Sequence, residues 1–379
     1  MNRNWYGDNM RIGLLGGGQL GRMLIQDAID FNIQLHVLDS DPQAPCAAIA
    51  HSFSLGDITD YETVLAFGKD KHIITVEIEN VNVEALDKLE KQGVKIYPQP
   101  SVLKTIKDKG TQKEFYNTNG IPTAPFQIVA NKTALETVSF PIVQKLRTGG
   151  YDGKGVQILN SKEDIVKAFD APSVLESMIP FTKELSVIVA RNPKGEMQSF
   201  PVVECEFNTE ANLVEFLFSP ATISPEIEEK AEALAKNVIE KLDMVGLLAV
   251  ELFLTETGEL LVNEIAPRPH NSGHHTIECC VTSQFAQHLR SILNLPLGST
   301  ELIRAGAMIN LLGEKGFEGK AIYQGLEKAL EMDGIYPHIY GKEFTKPFRK
   351  MGHITITGKD LHIVKEKAKK VQSLVVVKA

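Results

Sequence analysis

The sequence predicts an α/β protein, α+β in overall content, and three stretches carry that prediction. Residues 11–39 read strand, glycine turn, helix, strand, the opening of a parallel, doubly wound sheet. Residues 247–265 read as a β-hairpin, with apolar runs Leu247–Leu254 and Leu260–Ile265 flanking a Thr-Gly turn. From Pro296 onward, three short strands with two helices read as a small mixed unit.

In chain order, RIGLLGGG is a buried strand running into a glycine turn, QLGRMLIQDAIDFN a helix and QLHVLDSD a second strand. Gly16, Gly18 and Gly21 satisfy GxGxxG, and Asp39 follows about twenty residues on, as in a dinucleotide-binding fingerprint. The physics is less specific than the fingerprint. Glycines let backbone approach a phosphate, and a helix N-terminus offers free N–H groups to any anion. Three readings stand: a nicotinamide cofactor, another small ligand, or a tight turn without one. HIITVEIENV is a further strand that places Glu77 and Glu79 at its C-terminal end, where ligands of open parallel sheets collect.

The character changes after Pro98. KTIKDKGTQKEFYNTNG reads as one polar helix ending at Gly120. A strand ending in Lys145 then meets Gly149, Gly150, Gly153 and Gly155 before another strand. A lysine before such a loop suits a flap whose backbone N–H groups cover phosphates, although a plain surface hairpin would look similar. It is not a Walker loop, because no Gly-Lys-Ser/Thr opens a helix. VLESMI is a strand carrying Glu176. KELSVIVAR is a strand beginning after Glu184, and GEMQSFPVVE pairs with it through the turn at residues 192–195. SPEIEEKAEALAKNVIEKLDMVG is a helix with Ser224 as N-cap and Pro225 at its first position.

The hairpin holds the strongest chemical signal. Folding it about Glu256 and Thr257 lands Glu251 and Glu264 on one face as near cross-strand neighbours. Two carboxylates that close repel unless a cation or proton lies between them. With Asn263 they suit one or two Mg²⁺ ions, which take oxygen ligands and often bridge to phosphates. Arg268, His270, Asn271 and His274 follow in a loop interrupted by prolines, and arginine grips phosphate or bicarbonate bidentately. In the last segment, Arg349 and Lys350 precede a strand as a pair of cations.

The formal charge of −8, from 40 basic and 48 acidic residues, argues against bulk nucleic-acid or acidic-membrane binding. No apolar run approaches the ~20 residues of a membrane span, and MNRNWYGDNM lacks the apolar core of a signal peptide. Cys46, Cys205, Cys279 and Cys280 show no CxxC spacing, so a reduced cytoplasmic setting without a zinc site is expected.

Together these residues resemble an ATP-grasp ligase, and more closely the N5-carboxyaminoimidazole ribonucleotide synthase family. GGGQLGRM, VEIENV, GGYDGKG, NEIAPRPHNSGHHTIE and RKMGH carry the resemblance in family order across essentially the whole chain. VEIENV departs from the commoner YEFENV, and KLRTGG lacks an aromatic often found after the arginine, which bears on packing beside Glu77 and the flap.

The resemblance implies an ATP-grasp fold in three parts. Residues 1–98 form a Rossmann-like pre-grasp domain, 99–295 an ATP-grasp domain with a lid at about 113–180, and 296–379 a small C-terminal domain. It implies ATP-dependent carboxylation of 5-aminoimidazole ribonucleotide with bicarbonate by a homodimer whose product passes to a mutase. Mg²⁺ (or Mn²⁺) serves the reaction, with no flavin, NAD or biotin. Glu251 and Glu264 would hold the metal. Lys104, Lys145, Gly150, Tyr151, Asp152, Gly153, Lys154, Gly155, Val156, Glu176, Ser177, Met178, Ile179, Glu184 and Asn263, with Glu264, would bind ATP. Gln19, Leu20, Glu77, Asp152, Asn271, Lys342, Arg349 and Lys350 would surround the nucleotide substrate. Arg268 would orient bicarbonate, and Tyr151 and Asp152 would sit with it at the reacting atoms, Asp152 as proton acceptor. The nearer alternative is another ATP-grasp purine enzyme, such as the formate-dependent glycinamide ribonucleotide transformylase. The farther ones are a nicotinamide-dependent oxidoreductase and a non-catalytic nucleotide-binding protein.

Overall fold

The computed structural model describes residues 4–150, 155–208 and 213–379. The N-terminal part is a five-stranded parallel sheet in the spatial order Ser52–Leu55, Gln34–Asp39, Arg11–Leu15, Ile73–Val76, Lys95–Ile96. The chain winds outward in one direction from Arg11–Leu15, then returns and winds the other way from Ile73–Val76. Ligand crevices form where strand order reverses, and here the glycine turn and Glu77 emerge there. Apolar clusters cover both faces, one around Ile12, Leu24 and Val37, the other around Leu15, Ile74 and Leu86. Such two-sided burial is what the near-continuous apolar strands require.

A four-stranded antiparallel sheet follows, in the order Phe126–Val129, Ser173–Ser177, Ile142–Leu146, Val156–Leu159. The largest sheet is antiparallel and has nine strands. Leu260–Ala266 forms one edge, beside Gly246–Thr255, Phe181–Arg191, Val203–Asn208 and Leu213–Ser219. The segment beyond residue 296 extends this sheet: Ala305–Leu312 pairs with Leu213–Ser219 and Lys350–Gly358, which pairs in turn with Ile335–Ile339. Helix Pro225–Lys241 covers one face, and the Ser224 hydroxyl accepts the Ile227 N–H at its start. Helix Gln284–Ile292 inserts Phe285, Leu289 and Ile292 into the core of the N-terminal part, and so ties the two together.

Three sequence expectations change. The polar stretch around residue 108 is two helices, Pro100–Lys107 and Lys109–Thr118. Asp108 is extended between them and accepts the N–H groups of Gly110 (2.7 Å) and Thr111 (3.1 Å), restarting the helix as an N-cap. The strand before Glu77 ends at Val76, so Glu77 and Glu79 lie in the loop beyond it. LEKALEM supplies a single turn, Leu326–Ala329. Among the described residues no helix is long and apolar enough to cross a membrane.

Candidate active site

The hairpin brings Glu251 and Glu264 into direct cross-strand register. Immediately beyond that pair the register shifts, because Asn263 is an extra residue on its strand. Strict alternation would send Asn263 and Glu264 to opposite faces. The bulge turns both toward one cleft, where Lys145 Nζ donates to Asn263 Oδ1 (2.8 Å) and Lys109 Nζ donates to Glu264 Oε1.

The two acids experience opposite fields. Burial, then the charge of Glu264, raises Glu251 to about 7. Burial would raise Glu264 as well, but Lys109 and Lys145 outweigh it and hold that carboxyl below its ordinary value. Glu251 Oε1 lies 3.8 Å from His270 Nε2, yet burial with Arg268 and Lys350 lowers His270 to about 3, so the ring is neutral and adds no balancing charge.

The smaller sheet closes the cleft from the other side. Lys145 Nζ also lies 3.0 Å from Glu176 Oε2, while Lys113 Nζ lies 3.1 Å from Oε1. Lys113 is almost wholly buried. It donates to Thr123 Oγ1 (2.6 Å), whose hydroxyl donates to the Val262 carbonyl (2.6 Å) on the strand carrying Asn263. Burial lowers Lys113 to about 8, and the two lysines keep Glu176 below its ordinary value against the pull of burial. Arg147 grips both oxygens of Asp108 (2.7–3.1 Å), fastening the smaller sheet to the helix of Lys109 and Lys113. Glu184, opposite Phe253 and Cys205, is raised to about 7 by burial. Ser177 and Met178 are exposed at the strand end and Ile179 is half-buried. Ser177 N–H donates to the Pro125 carbonyl (2.9 Å).

The glycine flap leaves and rejoins this sheet at Gly150 and at Gly155–Val156. Gly155 has φ +78°, and a Cβ there would lie 3.0 Å from Gly150 Cα, so a side chain at this position would crowd the opposite arm. Val156 pairs with Lys145. Tyr151, Asp152, Gly153 and Lys154 lie outside the described residues.

At the other end of the cleft, Glu77 accepts the N–H groups of Gly18 and Leu20 (3.0 Å for Leu20), and Asp39 accepts that of Gly17 (2.6 Å). The anion-binding amides at the start of helix Gln19–Asp30 are therefore occupied by the protein's own carboxylates. A Cβ on Gly18 would lie 2.4 Å from Glu77 Oε1. A dinucleotide pyrophosphate needs those same amides, so the nicotinamide reading of GxGxxG fails on this ground.

Glu79 takes Arg268, with Nε 2.7 Å from Oε2 and Nη2 3.5 Å from Oε1. Asn271 and Asn310 exchange side-chain hydrogen bonds of 2.9 and 3.1 Å. Lys342 Nζ donates to the Lys350 carbonyl (2.7 Å), and Gly341 beside it approaches the Arg22 guanidinium. The charge of Lys350 acts on His270 and His274. Arg349 donates to the Phe344 carbonyl (2.6 Å) on the exposed side of that turn.

Lys104 is the residue the structure moves out of the site. It lies on the exposed face of its helix, with its charge acting on Asp87. Lys109 takes the place expected for it. Lys109 and Lys113 stand four residues apart from the start of the second helix, so they share a face; the Asp-Lys-Gly sequence that restarts the helix is the signal that identifies them. Glu79 was legible as a strand-end acid, but its arginine partner lies 189 residues away.

Among the described residues no group of three or more His, Cys, Asp or Glu side chains is arranged to hold a metal ion. Glu251 and Glu264 nevertheless fit a divalent cation that takes its remaining oxygens elsewhere. They are opposed hard-oxygen donors on adjacent strands, and burial followed by the facing charge of Glu264 raises Glu251 to about 7.

The chain matches three domain families in succession: the ribonucleotide synthetase preATP-grasp domain over residues 9–107, the ATP-grasp domain over 114–285, and the phosphoribosylaminoimidazole carboxylase C-terminal domain over 306–367. It is 40% identical to the N5-carboxyaminoimidazole ribonucleotide synthase of Bacillus subtilis, over 91% of this chain and 90% of that one. The crystal structure of the Thermotoga maritima synthetase superposes with a TM-score of 0.91 at 42% identity, covering 98% of this chain and 99% of that one. The Aspergillus clavatus synthase, solved with ADP and 5-aminoimidazole ribonucleotide, superposes with a TM-score of 0.89 at 34% identity over 98% and 99% of the two chains. The phosphoribosylaminoimidazole carboxylases of yeasts are longer, and the chain spans 64–67% of their length in the two first compared. Matched along its length by the three domain families in order, and aligned nearly end to end with the bacterial enzymes, the chain belongs to the N5-carboxyaminoimidazole ribonucleotide synthase family of ATP-grasp proteins.

Proposed function

We propose that the protein is an ATP-dependent carbon–nitrogen ligase of purine biosynthesis. It joins bicarbonate to the amine of 5-aminoimidazole ribonucleotide, giving N5-carboxyaminoimidazole ribonucleotide, ADP and phosphate. The observation that carries this reading is the position of Arg268. Its charge acts on Glu77 and Glu79 of the glycine-loop side and on His270 of the hairpin side, and Glu264 in turn acts on Glu79. One guanidinium thus stands between a phosphoryl-transfer cleft and a nucleotide crevice.

In this reading Lys109 and Lys145 hold the ATP phosphates, and Glu176 to Ile179 with Glu184 hold adenine and ribose. Glu251 and Glu264 hold Mg²⁺ or Mn²⁺, which neutralises phosphate charge when bound. A bicarbonate oxygen, oriented by Arg268, attacks the γ-phosphorus. The bond to ADP breaks and carboxyphosphate forms. The substrate amine then attacks the carboxyl carbon, the C–O bond to phosphate breaks, and the amine proton passes to a base, for which Asp152 is the candidate. Positioning and charge neutralisation suffice for phosphoryl transfer, so no covalent nucleophile is needed. The flap from Gly149 to Gly155 excludes water, because carboxyphosphate hydrolyses readily. Gln19, Leu20, Glu77, Asn271, Lys342, Arg349 and Lys350 surround the nucleotide. Residues 1–98, 99–295 and 296–379 are the functional domains, with the lid at about 113–180. The working form is a cytoplasmic homodimer that hands its product to a mutase.

The test is phosphate release from MgATP and bicarbonate, with and without 5-aminoimidazole ribonucleotide. Strong stimulation by the nucleotide, abolished in Glu264→Gln, is the expected result. Turnover on formate and glycinamide ribonucleotide instead would overturn the substrate assignment.

A further inference from the structure

Arg268 carries the reading above, and a protein carboxylate already holds it. Glu79 Oε2 accepts Nε at 2.7 Å and Oε1 faces Nη2 at 3.5 Å, the forked arrangement arginine uses for a planar acid anion. Both side chains are largely enclosed, with 17% of Arg268 and 31% of Glu79 exposed. Burial would raise Glu79, yet Arg268 holds it below its ordinary value, so the carboxylate is charged.

Glu79 also stands on a short, anchored segment. Two residues earlier, Glu77 is fixed to the amides of Gly18 and Leu20. Two residues later, the Val81 carbonyl accepts Lys107 Nζ (2.8 Å), and Val81 N–H donates to the Glu79 carbonyl (2.9 Å). The loop at the nucleotide crevice therefore presents one carboxylate to the glycine turn and another to the arginine of the phosphoryl-transfer cleft.

We propose that Glu79 is a positioning residue that occupies Arg268 as a stand-in for bicarbonate, so that bicarbonate enters by exchanging one planar carboxylate for another. The inference rests on the proposed carboxylation. Bicarbonate presents the same O–C–O fork as a glutamate side chain, so both compete for one guanidinium. Until the exchange occurs, Arg268 is kept from activating an adventitious acceptor for the γ-phosphoryl group. Because Glu79 shares its segment with Glu77, filling the nucleotide crevice and releasing Arg268 act on the same few residues.

The experiment compares wild type, Glu79→Gln and Glu79→Asp in phosphate release across a bicarbonate titration, with and without saturating 5-aminoimidazole ribonucleotide. Nitrate, a planar three-oxygen anion that does not react, is titrated as a competitor of bicarbonate. In Glu79→Gln the KM for bicarbonate and the inhibition constant of nitrate fall together, about three- to tenfold, as expected for loss of one partly screened ion-pair competitor. Nucleotide-independent phosphate release rises by a similar factor, and the KM for ATP stays constant. Glu79→Asp, whose carboxylate is one methylene short, falls between. A general packing defect would move the KM for ATP and the melting temperature instead. An unchanged or raised bicarbonate KM and nitrate constant in Glu79→Gln, with wild type still stimulated by the nucleotide, overturns the proposal alone. Wild type that responds to neither bicarbonate nor the nucleotide overturns the carboxylation reading beneath it.

Discussion

Replacing Glu251 with Gln should make the ligand-free protein more stable at pH 8 while removing one donor of the proposed metal site. Burial and Glu264 raise its carboxyl from 4.5 to about 7. Between those values the native state binds a proton that the unfolded chain has already lost, so stability falls as pH rises through that window. At pH 8 the ionised group costs about 3 kcal/mol at face value; with 30% of the side chain exposed, solvent screening brings this to about 2 kcal/mol. Glutamine keeps the shape and removes the charge. The assay is urea denaturation of wild type and Glu251→Gln at pH 8 and at pH 4.5, without nucleotide or metal. The variant should be more stable at pH 8 by about 2 kcal/mol, and the gap should shrink toward zero at the lower pH, where both states of Glu251 are increasingly protonated. Glu264→Gln supplies the control of opposite sign, because it leaves the half-buried Lys109 without its carboxylate and destabilises. A Glu251→Gln protein that is less stable than wild type at pH 8, or a gap that does not depend on pH, would refute the electrostatic argument.

Lys113→Met should lower stability by about 3 kcal/mol, since Glu176 loses one of its two buried cations, and should raise the KM for ATP about tenfold. Adding Glu176→Gln should recover part of the stability; a double variant no more stable than the single one would refute the pairing. Gly18→Ala should raise the KM for 5-aminoimidazole ribonucleotide and leave that for ATP unchanged. Its backbone (φ −78°) tolerates an L residue, so the damage comes from a Cβ 2.4 Å from Glu77 Oε1 and not from strain; an equal loss on both substrates would count against this.

The sequence was most informative where the structure depends on local rules. Alternation and a Thr-Gly turn suffice to form the hairpin and bring Glu251 and Glu264 near each other across it, though their direct opposition needs the bulge, and Ser224 followed by Pro225 marks a helix start that the hydrogen bonds bear out. It was least informative where a distant residue decides. Asp108 leaves the helix because it caps the next one and takes a bidentate grip from Arg147, 39 residues on; a single polar helix over this stretch does not show that Lys109 opens a new one. The glycine turn looks like a phosphate site because nothing local reveals that Glu77, some 59 residues later, fills it. The bulge at Asn263 is invisible to a strict period of two, and the pairing of Leu213–Ser219 with Ala305–Leu312 spans too much chain for any pattern to show.

These long-range contacts share one physical logic. Lys109 rests on Glu264, Lys145 on Glu176, Arg268 on Glu79, and the glycine-turn amides on Glu77 and Asp39. Each of these groups is thus satisfied internally, so a phosphate or carboxylate ligand there gains only the difference between itself and the glutamate or aspartate it displaces. Such an exchange should moderate affinity and favour a ligand that displaces several of these carboxylates at once over one that displaces a single partner. Glu251 and Glu184 are two acids of the cleft that, among the described residues, have no lysine or arginine at ion-pair distance, and burial raises both to about 7. Glu251 faces Glu264, and if, as proposed, the ATP phosphates take Lys109 and Lys145, Glu264 loses the two cations that hold its carboxyl down. At that moment two facing carboxylates stand beside a polyanion, and a divalent cation is the one partner that satisfies all three. Metal and nucleotide should therefore bind with positive cooperativity, and neither should bind tightly alone.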